Sequence, residues 1–308
     1  MRGLQGCCAR FAGLLCEVCR VRNMYLSTSI CEVCYTFAYT CGVIEMDIKK
    51  LSKITKSNEL NNANFTDFNL SCYRVVLNLI SKMQRHDIDG NRLALNVVSR
   101  ECSLSAKEYA KEFNLEGNTA YEILKTTADK LMKTSFAIKT PKGVLKINVC
   151  GQAFYAKDEG RIDIRFTEEI MPYLAELGSQ FTMYNLKDIA GFDSFYTTRL
   201  YELIMQYKTT GVLKITVKNL RFSLGCTNTL GRYNDFKRFG FGHAINEINS
   251  QWMLALDYKE VKVGRTVETI IFTFNQTFVR KVFDTVRKKM RSQSTRPRRK
   301  IKIEKDTE

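Results

Sequence analysis

A chain of 308 residues, 44% hydrophobic and 26% charged with only three prolines, has room for two globular domains and is too apolar to be disordered throughout. No uninterrupted apolar run approaches the roughly 18–20 residues of a helical membrane span. The net charge of +16 suits nucleic acid or another polyanion, and residues 280–308 carry half of it: twelve Lys/Arg against four acidic residues.

The first 45 residues differ from the rest. They hold seven of the eleven cysteines, with Cys16-Glu-Val-Cys19 and Cys31-Glu-Val-Cys34 forming a duplicated CxxC. By spacing this is a thiolate zinc pattern, but the knuckles lack glycines and Cys7, Cys8 and Cys41 have no role in it. Arg10 interrupts the apolar stretch that a secretory signal would need. The composition turns polar and lysine-rich at Met46. The expectation is that 1–45 is an upstream extension of a frame whose start is Met46, with no metal and no cofactor. The four scattered cysteines, Cys72, Cys102, Cys150 and Cys226, read as small core residues.

After a polar arm at 46–65, a first domain is expected over 66–178. Residues 66–84 form an amphipathic helix through Phe68, Tyr73, Val76, Leu77 and Ile80. Residues 105–136 read as a short helix with a Ser105/Glu108 capping box, a turn at 114–118 containing Gly117, and a longer helix. The longer helix buries Ile123, Leu124, Ala128 and Leu131 and leaves Lys125, Lys130 and Lys133 outside, as candidates for DNA contact. Strand-like FAIKT, GVLKINV and RIDIRF follow. Helices followed by a hairpin describe a winged helix.

The order repeats over 179–285. A helix at 194–211 carries Leu200, Leu203, Ile204 and Tyr207 and stops at Gly211. A short strand and short helix lead to GRYNDFKRFGFGHAINEIN, and 254–275 closes as two alternating strands around Gly264. In the 231–249 stretch, Arg232, Lys237 and Arg238 crowd the leading half, while Ala244, Ile245 and Ile248 make an apolar stripe. Cations oppose a helix dipole there by only about 0.3–1 kcal/mol. A bidentate arginine–guanine contact discriminates by about 1–3 kcal/mol, so a base-reading role outweighs the dipole. Residues 286–308 form a basic, disordered tail on composition. The fold class expected is therefore α+β, mainly helical, with two tandem winged helices.

SFYTTRLYELIMQY, FKRFGFGHAINEINS and VKVGRTVETIIFTF together resemble the iteron-binding replication initiators of theta-replicating bacterial plasmids. The motifs are Tyr-x-x-Arg-Leu-Tyr-Glu-Leu, Asn-Glu-Ile-Asn and Gly-Arg-x-x-x-x-Ile-x-Phe, in one order; the match is firm over about 180–280 and looser over 50–180. The resemblance implies a bacterial cytoplasmic protein that binds double-stranded iteron DNA at a plasmid origin and at its own operator. It also implies a homodimer in equilibrium with monomer, with the helix at 66–84 and the strands at 136–149 as candidate surfaces. Host replication initiator, helicase and chaperones are implied partners, and a membrane is not. Carried over by position, Arg232, Asn234, Lys237 and Arg238 read bases, while Arg199, Lys262 and Arg265 touch phosphate. This chain departs from the pattern at Phe239-Gly240, where relatives often carry another cation.

Two other functions compete. A rolling-circle nicking enzyme would need closely spaced histidines, and the chain has only His86 and His243, far apart. There is no GxxxxGK[ST] phosphate loop either, so no enzyme activity is expected. A winged-helix repressor without a replication role shares the same DNA-binding physics.

Overall fold

The computed structural model describes residues 52–86, 92–175, 180–252 and 254–274. The cysteine-rich segment, the start at Met46 and the basic tail lie outside the described residues.

The first module begins where Asn69 caps α2 (Leu70–Lys82) by accepting a hydrogen bond from the Cys72 backbone. Strand β3 (Glu101–Ser105) leads into α3 (Ala106–Phe113), and the Ser105/Glu108 capping box is formed. Asn114, left-handed at φ 50°, ends α3, and Gly117 at φ 61° completes the turn into α4 (Thr119–Leu131). The strands β6 (Cys150–Ala156) and β7 (Arg161–Phe166) form the wing and join β3 in the order β3-β7-β6. Helix, strand, two helices and a returning pair is a winged helix. FAIKT and GVLKIN are a different hairpin, β4 (Ser135–Thr140) with β5 (Gly143–Asn148), inserted between α4 and the wing. It pairs with the short β2 (Asn64–Thr66).

Two features depart from the sequence expectation. Helix α2 buries Cys72, Tyr73 and the run from Val75 to Ile80, so it is core and offers little surface to a second copy. The edge strand β5 instead leaves Val144 and Leu145 outside. Strand β8 (Phe181–Asn185) pairs antiparallel with β1 (Lys53–Ser57), from Lys53 opposite Asn185 to Ser57 opposite Phe181. Strand β8 lies beyond the boundary expected at 178/179, and the ladder ties Phe181–Asn185 to the first module.

The second module repeats the scheme. Ser194 caps α6 (Phe195–Gln206), Gly211 at φ 69° follows it, and β9 (Val212–Thr216) ends at Thr216, which caps α7 (Val217–Ser223). Helical residues Tyr233–Trp252 come next. Strands β10 (Asp257–Val263) and β11 (Thr266–Thr273) close the unit in the order β10-β11-β9. Its core centres on Phe236, Phe241 and Phe272, all fully buried, with Phe241 edge-on to Phe236, Tyr258 and Phe272 at 5.2–6.0 Å.

Candidate nucleic-acid interface

The second helix of the second module is built in three pieces: α8 (Tyr233–Asp235), a π-helical turn (Phe236–Gly242) and α9 (His243–Trp252). The π turn follows from the sequence. Phe236 and Phe241 are five residues apart, and a regular α-helix would bury one and expose the other; widening the turn buries both. Glycine permits it, because a Cβ on Gly242 would stand 2.3 Å from the Lys237 carbonyl oxygen, and one on Gly240 would stand 2.8 Å from the Phe236 ring. Past the turn, Ala244, Ile245 and Ile248 continue the buried stripe.

The opposite side of this helix is an exposed row: Arg232, Asn234, Arg238, Phe239, His243 and Asn246. With Tyr258 of β10 most of it lines one shallow concavity. Lys237 stands at the edge of the row, half-exposed, with Nζ 2.9 Å from Glu260 on the wing strand. Tyr233 donates to the same carboxylate at 3.0 Å. The hydrogen bond from Lys237 holds Glu260 below the usual carboxylate range, and Glu260 in turn raises Lys237. Lys237 thus fastens the helix to the wing while keeping its charge. The wing tip turns at Gly264, φ 60°, and presents Lys262 and Arg265 to solvent; a β-bulge between Val261 and Lys262 re-aims that tip.

Sequence reasoning missed Arg221. Its guanidinium donates to the carbonyls of Leu230 at 2.7 Å and Gly231 at 3.2 Å and lies 4.2 Å over the Phe236 ring. It therefore braces the loop that leads into the helix, where Leu230 adopts φ 54°. The only sequence signal was a cation on a short helix just upstream. In the first module, α4 exposes Lys125 and Lys130, and Lys133 follows in the turn beyond it. Its Tyr121 packs where Gly160 turns the wing; a Cβ there would stand 2.2 Å from the ring.

Arg199 is corrected. It is fully buried and touches no solvent, so it cannot contact phosphate. Its guanidinium pairs with Glu202, donates to the Tyr73 hydroxyl at 2.9 Å, and caps the carbonyls of Asn61 at 2.6 Å, Ala63 at 3.0 Å and Ser223 at 3.1 Å. Lys56 of β1, also buried, reaches Glu202 at 2.6 Å and Tyr73 at 2.8 Å, and Tyr184 of β8 donates to Glu202. One carboxylate serves two buried cations. Burial pulls the Lys56 amine down to about 7; the Lys56 and Arg199 charges hold the Glu202 carboxyl low against its own burial.

Residues 53–205 match the family described as Initiator Replication protein, WH1, and residues 216–274 match Initiator Rep protein, WH2. The chain belongs to the replication-initiator family. The chain is 28% identical over 190 residues to an Escherichia coli "Replication initiation protein", covering 56% of this chain and 55% of that one. The chain thus spans about half the length of that relative. It is 24% identical to the E. coli "PI protein", over 75% of this chain and 85% of that protein. Its fold is similar to the crystal structure of Pi initiator protein in complex with iteron DNA, with a TM-score of 0.59 and 22% identity over 73% of this chain and 97% of that one.

Two of the three resembling motifs are mainly structural, with Asn246 the exposed member of the second. Tyr-x-x-Arg-Leu-Tyr-Glu-Leu contains Arg199 and Glu202 of the buried cluster. In Asn-Glu-Ile-Asn, Glu247 accepts from the Asp193 backbone and the Thr197 hydroxyl, and Ile248 is core. Asn249 exchanges two hydrogen bonds with Leu256, at 2.7 and 2.8 Å. Among the described residues there is no His/Cys/Asp/Glu group able to hold a metal, and no helix long and apolar enough to cross a membrane.

Proposed function

We propose that this chain starts replication of a bacterial plasmid by binding directly repeated duplex DNA at its origin, and that it represses its own gene through the same surface. The observation that carries the reading is the exposed row Arg232–Asn246, set beside a cationic wing tip in a second winged helix. Arg232, Asn234 and Arg238 face base edges from it. Lys237 bridges helix, wing and DNA, while Lys262 and Arg265 meet phosphate. Lys125, Lys130 and Lys133 meet the backbone of a neighbouring groove. The chain works as a binding protein and not as an enzyme, in the bacterial cytoplasm. A monomer–dimer equilibrium through the β5 edge separates initiation from repression, and host replication proteins act on the opened origin.

The test is selection of bound duplexes from a random-sequence pool, followed by footprinting of the DNA beside its gene. Direct repeats protected over two groove segments roughly 10 bp apart support the reading. Arg238→Ala should then relax preference at particular positions by about 1–3 kcal/mol. Protection of a single segment, or no preference over scrambled duplex, would overturn it. A repressor confined to transcription would bind alike, yet fail to maintain an origin plasmid in cells that supply only this chain.

A further inference from the structure

The exposed row holds one apolar side chain among its polar ones. Phe239 is 51% exposed, whereas Phe236 and Phe241 on either side of it are fully buried. Seating those two rings five residues apart turns the residue between them outward, and Gly240 leaves nothing bulky beside it. Phe239 therefore stands in the row between Arg238 and His243, lining the same concavity as Asn234 and Asn246. The Arg238 guanidinium lies 5.0 Å from the Phe239 ring centre, so the two side chains advance as a pair.

We propose that Phe239 reads the C5-methyl group of a thymine in the major groove, one base-pair step from the base pair taken by Arg238. A phenyl ring makes no directional hydrogen bond, and the thymine methyl is the one apolar group that the unmodified major groove presents. Successive base pairs lie about 3.4 Å apart, so side chains separated as these are meet adjacent steps. This assignment rests on the helix being the base-reading element. It supplies what a cation at this position would not: discrimination of thymine from cytosine at one fixed place.

The experiment uses the full chain and a duplex it selects from a random pool, with each thymine replaced in turn by uracil and then by 5-bromouracil. Uracil removes only the methyl; bromine restores its bulk. At one thymine, next to a position whose preference Arg238→Ala relaxes, uracil should weaken binding about threefold to fivefold, the worth of one buried methyl. 5-Bromouracil should recover it, and Phe239→Ala should bind the thymine and uracil duplexes equally. Indifference to uracil at every position, or a Phe239→Ala variant that keeps the wild-type ratio, overturns the proposal while leaving the base-reading helix intact. Failure to select any sequence would instead overturn that helix assignment itself.

Discussion

Lys56, Arg199 and Glu202 place three ionisable groups where no solvent reaches, and only one of them is an anion. Removing that anion leaves two cations uncompensated. Glu202→Gln should therefore cost about 3–5 kcal/mol in urea denaturation, nearer the lower figure because Lys56 is able to shed its proton. Lys56 also gives the protein a pH signature. Its folded pKa of about 7 lies below the ordinary 10.5, so between these values the unfolded chain binds more protons than the folded one. Stability carried by this group then rises with pH through that window. Wild type should gain stability from pH 7 to 9 relative to Lys56→Met, compared by urea midpoints at each pH; parallel curves would show that Lys56 stays protonated. Above about pH 10 both proteins should lose stability, because buried Tyr73 and Tyr184 resist the ionisation that their unfolded forms undergo.

In the proposed reading the π turn is the element on which readout depends, and Gly242 is its weak point. In an ordinary helix interior, Gly→Ala stabilises by up to about 1 kcal/mol. Here the added Cβ meets the Lys237 carbonyl, so Gly242→Ala should instead destabilise by about 1–3 kcal/mol. It should also blunt sequence preference more than binding to random duplex, read by melting and by competition assays. A stabilised variant with unchanged preference would show that the turn tolerates α geometry. How much of this was legible in the sequence depends on range. Local signals gave the Ser105/Glu108 box, the turn at Gly117, the wing at Gly264 and the apolar stripe beyond Ala244. The five-residue Phe236–Phe241 spacing was equally visible, but its meaning needed both rings to share one core. Arg199 was carried over from the resemblance as a phosphate contact, and its place on a helix says nothing of Lys56, 143 positions away, or of the carbonyls it caps. The β1–β8 ladder and the pairing of β2 with the inserted hairpin are likewise non-local pairings that no short window contains.

Across the whole molecule, α6 carries Arg199 and Glu202 into contact with β1, α1 (Asn58–Asn62) and α2, so the first helix of one winged module is bonded into the other. A second tie lies at the inserted hairpin. Lys139 of β4 donates to Asn219 of α7 at 2.7 Å and lies 4.3 Å over Phe222. The first of these joints does not swivel cheaply, since rotation there strands a buried charge. In the proposed reading, the two DNA-facing helices consequently act as the marks on a ruler. Duplex DNA returns to the same face only every 10–10.5 bp, so such a ruler measures phase as well as length. Inserting about 5 bp between the two protected segments of one repeat should abolish simultaneous engagement and leave a half-length footprint. Inserting a full turn restores the face but not the distance, and should fail as well. Chains joined to one another by a flexible tether would survive both insertions, which makes the pair of spacers a direct measure of how stiff this joint is.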